Sequence, residues 1–290
     1  LGNAFDEAVI AIGGRGMPGV DYQVEQGYMQ PWPVVRGWKL EARAIALQVV
    51  LGATDRADYW ARRQRLMDHL RFNRGGPFTL RHVRGDGRRV DIQAYPDSSP
   101  VFADDFAWAS TQVDIDLIAF DPLFEDTDWT IEDASVTIYE ELEFPATFPI
   151  LFDADVSNIT LNITYTGTFV TYPVIEITGP YTWLSLTNTA TGAYIKLQVA
   201  ITAGEQRILD LTPGAQTLTD ADGNDKFGEL VLPESNLVHF NLRPAGADWQ
   251  NSPFEGVTGG LNAIWVQALE TNNDMVVKFR YKNRYVEVSG

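Results

Sequence analysis

The stretch "AVIAIGGRGMPG", from Ala8 to Gly19, decides which fold class this chain can adopt. An apolar run enters a glycine loop in which Gly14, Gly16 and Gly19 keep the G-x-G-x-x-G spacing of a dinucleotide-binding turn. That chemistry needs a helix directly after the loop, because the pyrophosphate is held by backbone N–H groups at the helix N-terminus. The chain continues instead as "VDYQVEQGYMQPWPVVRGW", where Val20, Tyr22 and Val24 alternate with polar residues and Pro31 and Pro33 forbid a continuous helix. The βαβ unit is missing. The loop is expected to be a turn between strands, with glycine supplying positive φ, and no nucleotide cofactor is expected.

Working outward, short alternating segments recur: "WKLEARAIALQVVLG", "FTLRHV", "RRVDIQAYP", "STQVDIDLIAF", "NITLNITYTGTF", "PVIEITG", "AYIKLQVAI", "QRILDLT", "AIWVQAL" and "DMVVKFRYKNRYVEV". Gly, Pro, Asn and Asp punctuate them, the pattern of β-sandwiches or barrels. One segment differs. "TDRADYWARRQRLMDHLRFN" lacks Gly and Pro, opens with Thr54 as candidate N-cap and Asp55 in the first turn, and gathers Trp60, Met67 and Leu70 near one face. It predicts a helix over 54–73, ended by Gly75, Gly76 and Pro77. The expected fold class is mainly β, in two sandwich- or barrel-like domains: 1–128 with the single helix, an acidic connection over 129–145, and 146–290.

Composition narrows the function classes. The chain has 290 residues, 45% of them hydrophobic, enough for two cores. No run reaches the ~18 apolar residues of a membrane span, so a soluble chain without membrane insertion is expected. Leu1 is not a methionine, so sequence preceding it is expected. There is no cysteine, which removes thiolate metal sites and cysteine nucleophiles; His69, His82 and His239 lie in unrelated contexts, so no metal site is expected. A net charge of −17 opposes nucleic-acid binding. That charge is uneven: residues 1–128 hold 14 basic and 19 acidic side chains and residues 129–290 hold 8 and 20, while Arg56 to Arg89 contains ten arginines.

Other constellations carry less chemistry. "DADGNDKFGEL", from Asp220, has its glycine fourth and Val231 at position 12, so a hairpin turn is expected rather than a calcium loop. A glycosidase would need two carboxylates at a set separation that sequence does not show, and no G-x-S-x-G elbow is present. The N-x-T strings at Asn158 and Asn162 are explained by alternation in a half-buried strand. "HFNLR" echoes the H-x-N-x-R string with which galectins hold galactose. His239, Asn241 and Arg243, with Trp249 as stacking ring, are therefore candidate glycan contacts. The tryptophan comes too soon and the tryptophan-glycine pair is absent, so Phe240 and Leu242 are expected to face inward on a strand. A lectin-like adhesion module remains the alternative function.

The order of these pieces resembles a known family. An alternating strand around Arg43, the helix from Thr54, "GGPFTLRH", "GDGRRVDIQAYPDSSPVF" and "VDIDLIAFDPLFED" are similar to the N-terminal domain of siphophage distal tail proteins. "GTFVTYPVIEITGP" from Gly167, "TNTATGAYIKLQVAITAGEQRILDL" from Thr187 and "GGLNAIWVQA" from Gly259 are similar to that family's galectin-like C-terminal domain. The resemblance implies a virion tail-tip protein, assembled in the host cytoplasm, without catalytic residues or cofactors. Its N-terminal domains would close a ring, usually a hexamer, below the tail tube. Implied partners are further copies of itself, the tail tube protein, a tail-associated hub protein and, in some tails, a receptor-binding protein.

A closed ring needs two complementary surfaces on one protomer. Arginine pairs bidentately with carboxylates, so Arg62, Arg63 and Arg65 are the candidate oligomer-interface residues. An acidic wall would also keep DNA from adhering as it passes.

Overall fold

The computed structural model describes residues 7–26, 34–71, 76–102, 110–135, 156–244, 260–269, 271 and 274–288. The chain is mainly β and divides into two compact units, Leu1–Thr127 with Tyr285–Gly290, and Asp128–Arg284. Alternation alone keeps the C-terminal residues with the second domain; from Tyr285 onward they instead group with the first. The expected connection over 129–145 contains a strand, and its remainder, from 136, lies outside the described residues.

The first unit runs β1 (Glu7–Ile12), β2 (Val20–Glu25), β3 (Val34–Leu40), β4 (Arg43–Gly52), α1 (Arg56–His69), β5 (Phe78–Val83), β6 (Arg89–Pro96), β7 (Val101–Phe102), β8 (Ser110–Ala119) and β9 (Phe124–Asp126). Antiparallel ladders join β1 to β4, β4 to β8, β8 to β6 and β6 to β9, with β5 on β6 and β7 on β8. Period two sorts the side chains: Ile45, Leu47, Val49 and Leu51 of β4 face the core with Val113, Ile115 and Leu117 of β8. Tyr285 and Val288 belong to the same core. The segment read as one strand from Trp38 to Gly52 is two, broken at Glu41 and Ala42, so that β2 and β3 form a separate two-stranded hairpin.

The helix is capped one residue later than expected. Asp55 Oδ1 accepts from the Asp58 N–H at 2.8 Å, while Thr54 uses its own N–H and hydroxyl on the Asp58 carboxylate. Leu66 is the buried residue of α1, and the grouped stripe divides: Leu70 packs against the core while Trp60 is 51% and Met67 37% exposed.

The second unit holds β10 (Thr130–Ser135), β11 (Val156–Thr164), β12 (Val174–Thr178), β13 (Trp183–Asn188), β14 (Ala193–Leu197), β15 (Gln206–Asp210), β16 (Thr217–Asp220), β17 (Leu261–Leu269) and β18 (Val276–Tyr281). Two antiparallel sheets form, ordered β10-β18-β12-β15-β16 and β11-β17-β13-β14. One apolar core, including Ile175, Leu186, Val266 and Phe279, lies on the inward rows of both. Tyr165 pins its end: the hydroxyl donates to the Phe169 carbonyl at 2.7 Å and accepts from the Arg284 N–H at 2.9 Å. Among the described residues no helix is long and apolar enough to cross a membrane.

Candidate assembly surface

The loop that carries Gly14 and Gly16 is a cation clamp. Arg43 is the first inward residue of β4, in the row that continues with Ile45 and Leu47, and is 3% exposed. Its guanidinium donates to the carbonyls of Gly14 at 2.6 Å, Pro122 at 2.6 Å and Val286 at 2.7 Å, and to that of Gly16, with the Phe124 ring 4.7 Å away. The loop therefore turns carbonyl oxygens to a positive charge, the inverse of the N–H cradle that a pyrophosphate needs. Burial lowers the Arg43 pKa, but guanidinium stays charged in proteins. Gly14 has φ +78, and a Cβ there would drive into the Ala44 carbonyl. The clamp joins four chain segments: loop, β4, the start of β9 and the C-terminal return.

The arginines between Arg56 and Arg89 are spread over α1 and the β5–β6 hairpin, and most have partners within the chain. Arg62 pairs with Asp58 at 2.9 Å, and Arg63 lies 4.0 Å over the Phe102 ring and 5.1 Å from that of Trp60. Arg65 is exposed; its carbonyl is 2.8 Å from His69 Nδ1. Arg71 pairs with Asp68, and Arg81 forks onto Asp91 at 2.8 and 2.9 Å. Arg88 donates to the Tyr285 hydroxyl at 2.9 Å. The three residues nominated for an interface thus differ in kind: Arg62 is held by its own helix, Arg63 is stacked, and Arg65 faces solvent.

Sequence reasoning missed an exposed apolar ladder in this unit. In the β2–β3 hairpin, Val20 faces Leu40, Tyr22 faces Trp38 and, past a bulge, Val24 faces Val35. These pairs share one side, while Asp21 and Lys39 on the other pair at 3.1 Å. Tyr22 and Val24 are each 58% exposed, Val35 55% and Trp38 39%. An isolated two-stranded ribbon is marginal in water, and one with an outward apolar ladder gains its stability by being covered. The alternation in "VDYQVE" was legible; that this side stands exposed was not.

In the second unit the HFNLR string turns its apolar residues inward as expected, though not as a strand. Leu237–His239 is a 3-10 turn; Phe240 and Leu242 are fully buried, and Leu242 bridges Thr171. Two buried asparagines hold its backbone: Asn188 Nδ2 donates to the Asn241 carbonyl at 2.8 Å, while Asn262 accepts from the Arg243 N–H at 2.9 Å and donates to the Arg243 carbonyl at 3.0 Å. His239 is exposed and Asn241 and Arg243 are half-buried, so they do not form the outward row of a strand-borne sugar site. Trp249 lies outside the described residues. The acidic loop is a hairpin: the Asn224 side chain donates to the Asp220 carboxylate, and this bond first, then those from the Asn224 and Asp222 N–H groups to Oδ1, hold that carboxylate below its ordinary pKa. Among the described residues no group of three or more metal-ligating side chains exists.

No protein-family model matches the chain, and no curated protein matches it in sequence. Solved structures do. The Dit protein of phage SPP1, presented as a paradigm of the hub adsorption apparatus in phages infecting Gram-positive bacteria, matches with a TM-score of 0.61 at 12% identity, covering 96% of this chain and 93% of that one. The baseplate of phage P2 in its activated conformation, with Ca or with Sr, matches at 0.45 and 9% identity over 96% and 91%, a likeness too distant to bear on function. The fold is therefore that of a phage Dit hub protein, along nearly its whole length.

Proposed function

We propose that this chain is a structural component of a siphophage tail tip, a ring-forming hub that joins the tail tube to the baseplate and leaves a conduit for DNA. The observation that carries this reading is the sharing of the SPP1 Dit fold from end to end rather than over one domain. Fold alone does not determine function. A second feature supports the reading here: the first unit exposes the Tyr22–Trp38 ladder and, on α1, Trp60 beside the stacked Arg63. Aromatic and arginine side chains are enriched where proteins meet, and two unlike patches on one protomer suit a heterologous contact that closes. We assign the second copy of this chain as what covers the hairpin.

In this reading the ring is hexameric, as the family resemblance implies, and its role is structural rather than enzymatic. The first unit, Leu1–Thr127 with Tyr285–Gly290, builds the ring, and the galectin-like second unit presents attachment points. The partners are the tail tube protein, a tail-associated hub protein and, in tails that carry one, a receptor-binding protein. Arg65 is the nominated arginine whose charge is open to a neighbour, so Arg65→Glu is a cleaner probe than reversal at Arg62, which would set like charge beside Asp58. Acidic side chains along the conduit would repel DNA over about 8 Å at physiological salt.

Replacing Tyr22 and Trp38 together by Ser tests the interface. Light scattering of the wild type should give one discrete multimer, and the double variant should run as folded monomer. A variant that assembles like the wild type would contradict the hairpin's role.

A further inference from the structure

The second unit has two outer sheet faces, and they differ in chemistry. On the five-stranded sheet, cross-strand neighbours Asp133, Lys278 and Glu176 lie in one row and Arg280 and Asp210 in the next, with Arg280 bonded to Glu176 at 2.5 Å. These rows set charged residues beside Ile131, Val174 and Ile208, so this face carries charge of both signs between apolar residues. The four-stranded sheet has no carboxylate on the outward rows of its strands, in a chain with 39 acidic residues.

Register builds that second face. Thr160, Trp265, Thr187 and Tyr194 stand side by side across β11, β17, β13 and β14. Trp265 and Tyr194 are each 43% exposed, and the half-buried Thr187 separates them by two strand spacings, about 10 Å. Aromatic rings therefore rise from alternate strands above a threonine floor. The next row is Asn158, Gln267, Ser185 and Lys196, in which Gln267 Nε2 donates to Asn158 Oδ1 at 3.0 Å. That bond orders both amides and leaves donor and acceptor capacity on the pair. Lys196, the single cation on these rows, is committed to Glu234 at 2.5 Å and lies 5.7 Å from the Trp183 ring.

We propose that this face binds a neutral polysaccharide, with Trp265 and Tyr194 stacking on sugar rings and Thr187, Ser185, Asn158 and Gln267 hydrogen-bonding its hydroxyls. The negative face of an aromatic ring attracts the C–H edge of a pyranose, while amides and hydroxyls match sugar hydroxyls. An uncharged, aromatic-bearing row suits an uncharged ligand. Nucleic acid would need free cations, and the lysine here is paired. A protein partner would favour contiguous apolar surface with few serines, whereas each ring here is bordered by hydroxyls or amides. The site uses residues of the second unit alone and is separate from the HFNLR string. It does not depend on ring assembly, so either idea can fail without the other.

The test applies the full chain to an array of neutral oligosaccharides (gluco-, galacto-, manno- and N-acetylhexosamine series) beside sulfated and uronic-acid counterparts. Saturable binding is expected for at least one neutral series, weakened about tenfold or more in Trp265→Ala, the scale of one lost stacking contact, and partly retained in Trp265→Phe. Tyr194→Ala, on a separate strand, carries the same expectation should Trp265→Ala fail to fold, and unchanged melting checks each variant. Binding should persist in His239→Ala. The proposal is overturned if no neutral series binds, if only charged glycans bind, if binding survives both aromatic substitutions, or if it disappears with His239.

Discussion

Among the described residues each unit buries one arginine, and the two solve the problem differently. Arg207 of the second unit, 7% exposed, forks onto the Glu229 carboxylate at 2.6 and 3.1 Å, and that hydrogen-bonded partner raises its pKa. Arg43 of the first unit is surrounded by backbone carbonyls, and burial without a carboxylate among its hydrogen-bond partners lowers its pKa. A carboxylate neutralises a charge between two segments. A carbonyl cage leaves the charge in place and gathers several segments at once. In the first unit Arg43 therefore ties the glycine loop, the β9 approach and the C-terminal return together, beside the Val288 N–H bond to the Arg15 carbonyl and the Arg88 bond to Tyr285, while in the second unit the ion pair is a local staple.

Arg43→Met should have the largest effect. It removes the donor shared by the Gly14, Gly16, Pro122 and Val286 carbonyls, and no single compensating substitution exists because the acceptors are backbone. The first unit should lose about 3 kcal/mol or more, seen as an early unfolding transition in calorimetry, while the transition of the second unit keeps its position. A single shared shift of both would contradict the division of labour.

Glu229→Ala should cost the second unit about 3 kcal/mol, since it leaves a buried cation unpaired. Here compensation is possible. The double variant Arg207→Met with Glu229→Leu should recover most of the loss, because a buried ion pair replaced by packed apolar groups is often neutral. Urea midpoints for the three variants check the cycle, and a double variant as unstable as the single would remove the contrast with Arg43.

A smaller effect belongs to His82 on β5. Burial first, then Arg15 and Arg84, depress its pKa, and its Nε2 is buried without a hydrogen-bond partner among the described residues. The unfolded chain takes up the proton at higher pH than the folded one. The stability contributed is complete above the ordinary histidine value of 6.5 and is lost as pH falls through the lower folded value. The melting temperature of the first unit should decline modestly from pH 7 to 5, and His82→Gln should flatten that slope.

Much of this fold was legible from alternation. "FTLRHV" is β5, and Ile45 to Leu51 form the inward row that their spacing implies. That row also placed Arg43 inside, a signal that composition alone obscures. Helical periodicity grouped Trp60 with Met67 but did not tell which side of α1 meets the sheet. β13 went unread because "WLSLTN" offers two inward leucines among residues typical of turns. The HFNLR string was rightly expected to bury Phe240 and Leu242, yet it is a 3-10 turn tied to Asn188 and Asn262, partners far away in sequence. The Trp265 and Tyr194 row needed the register of three strand pairs, and the exposure of one hairpin side needed the packing of the folded chain. Periodicity reports which residues share a face; long-range contacts decide what that face meets.

Assembly into a hub ring is read from electron microscopy of the purified full chain, whose class averages should show one closed six-fold ring with a central opening. Monomers at every concentration, or open filaments that never close, would contradict it.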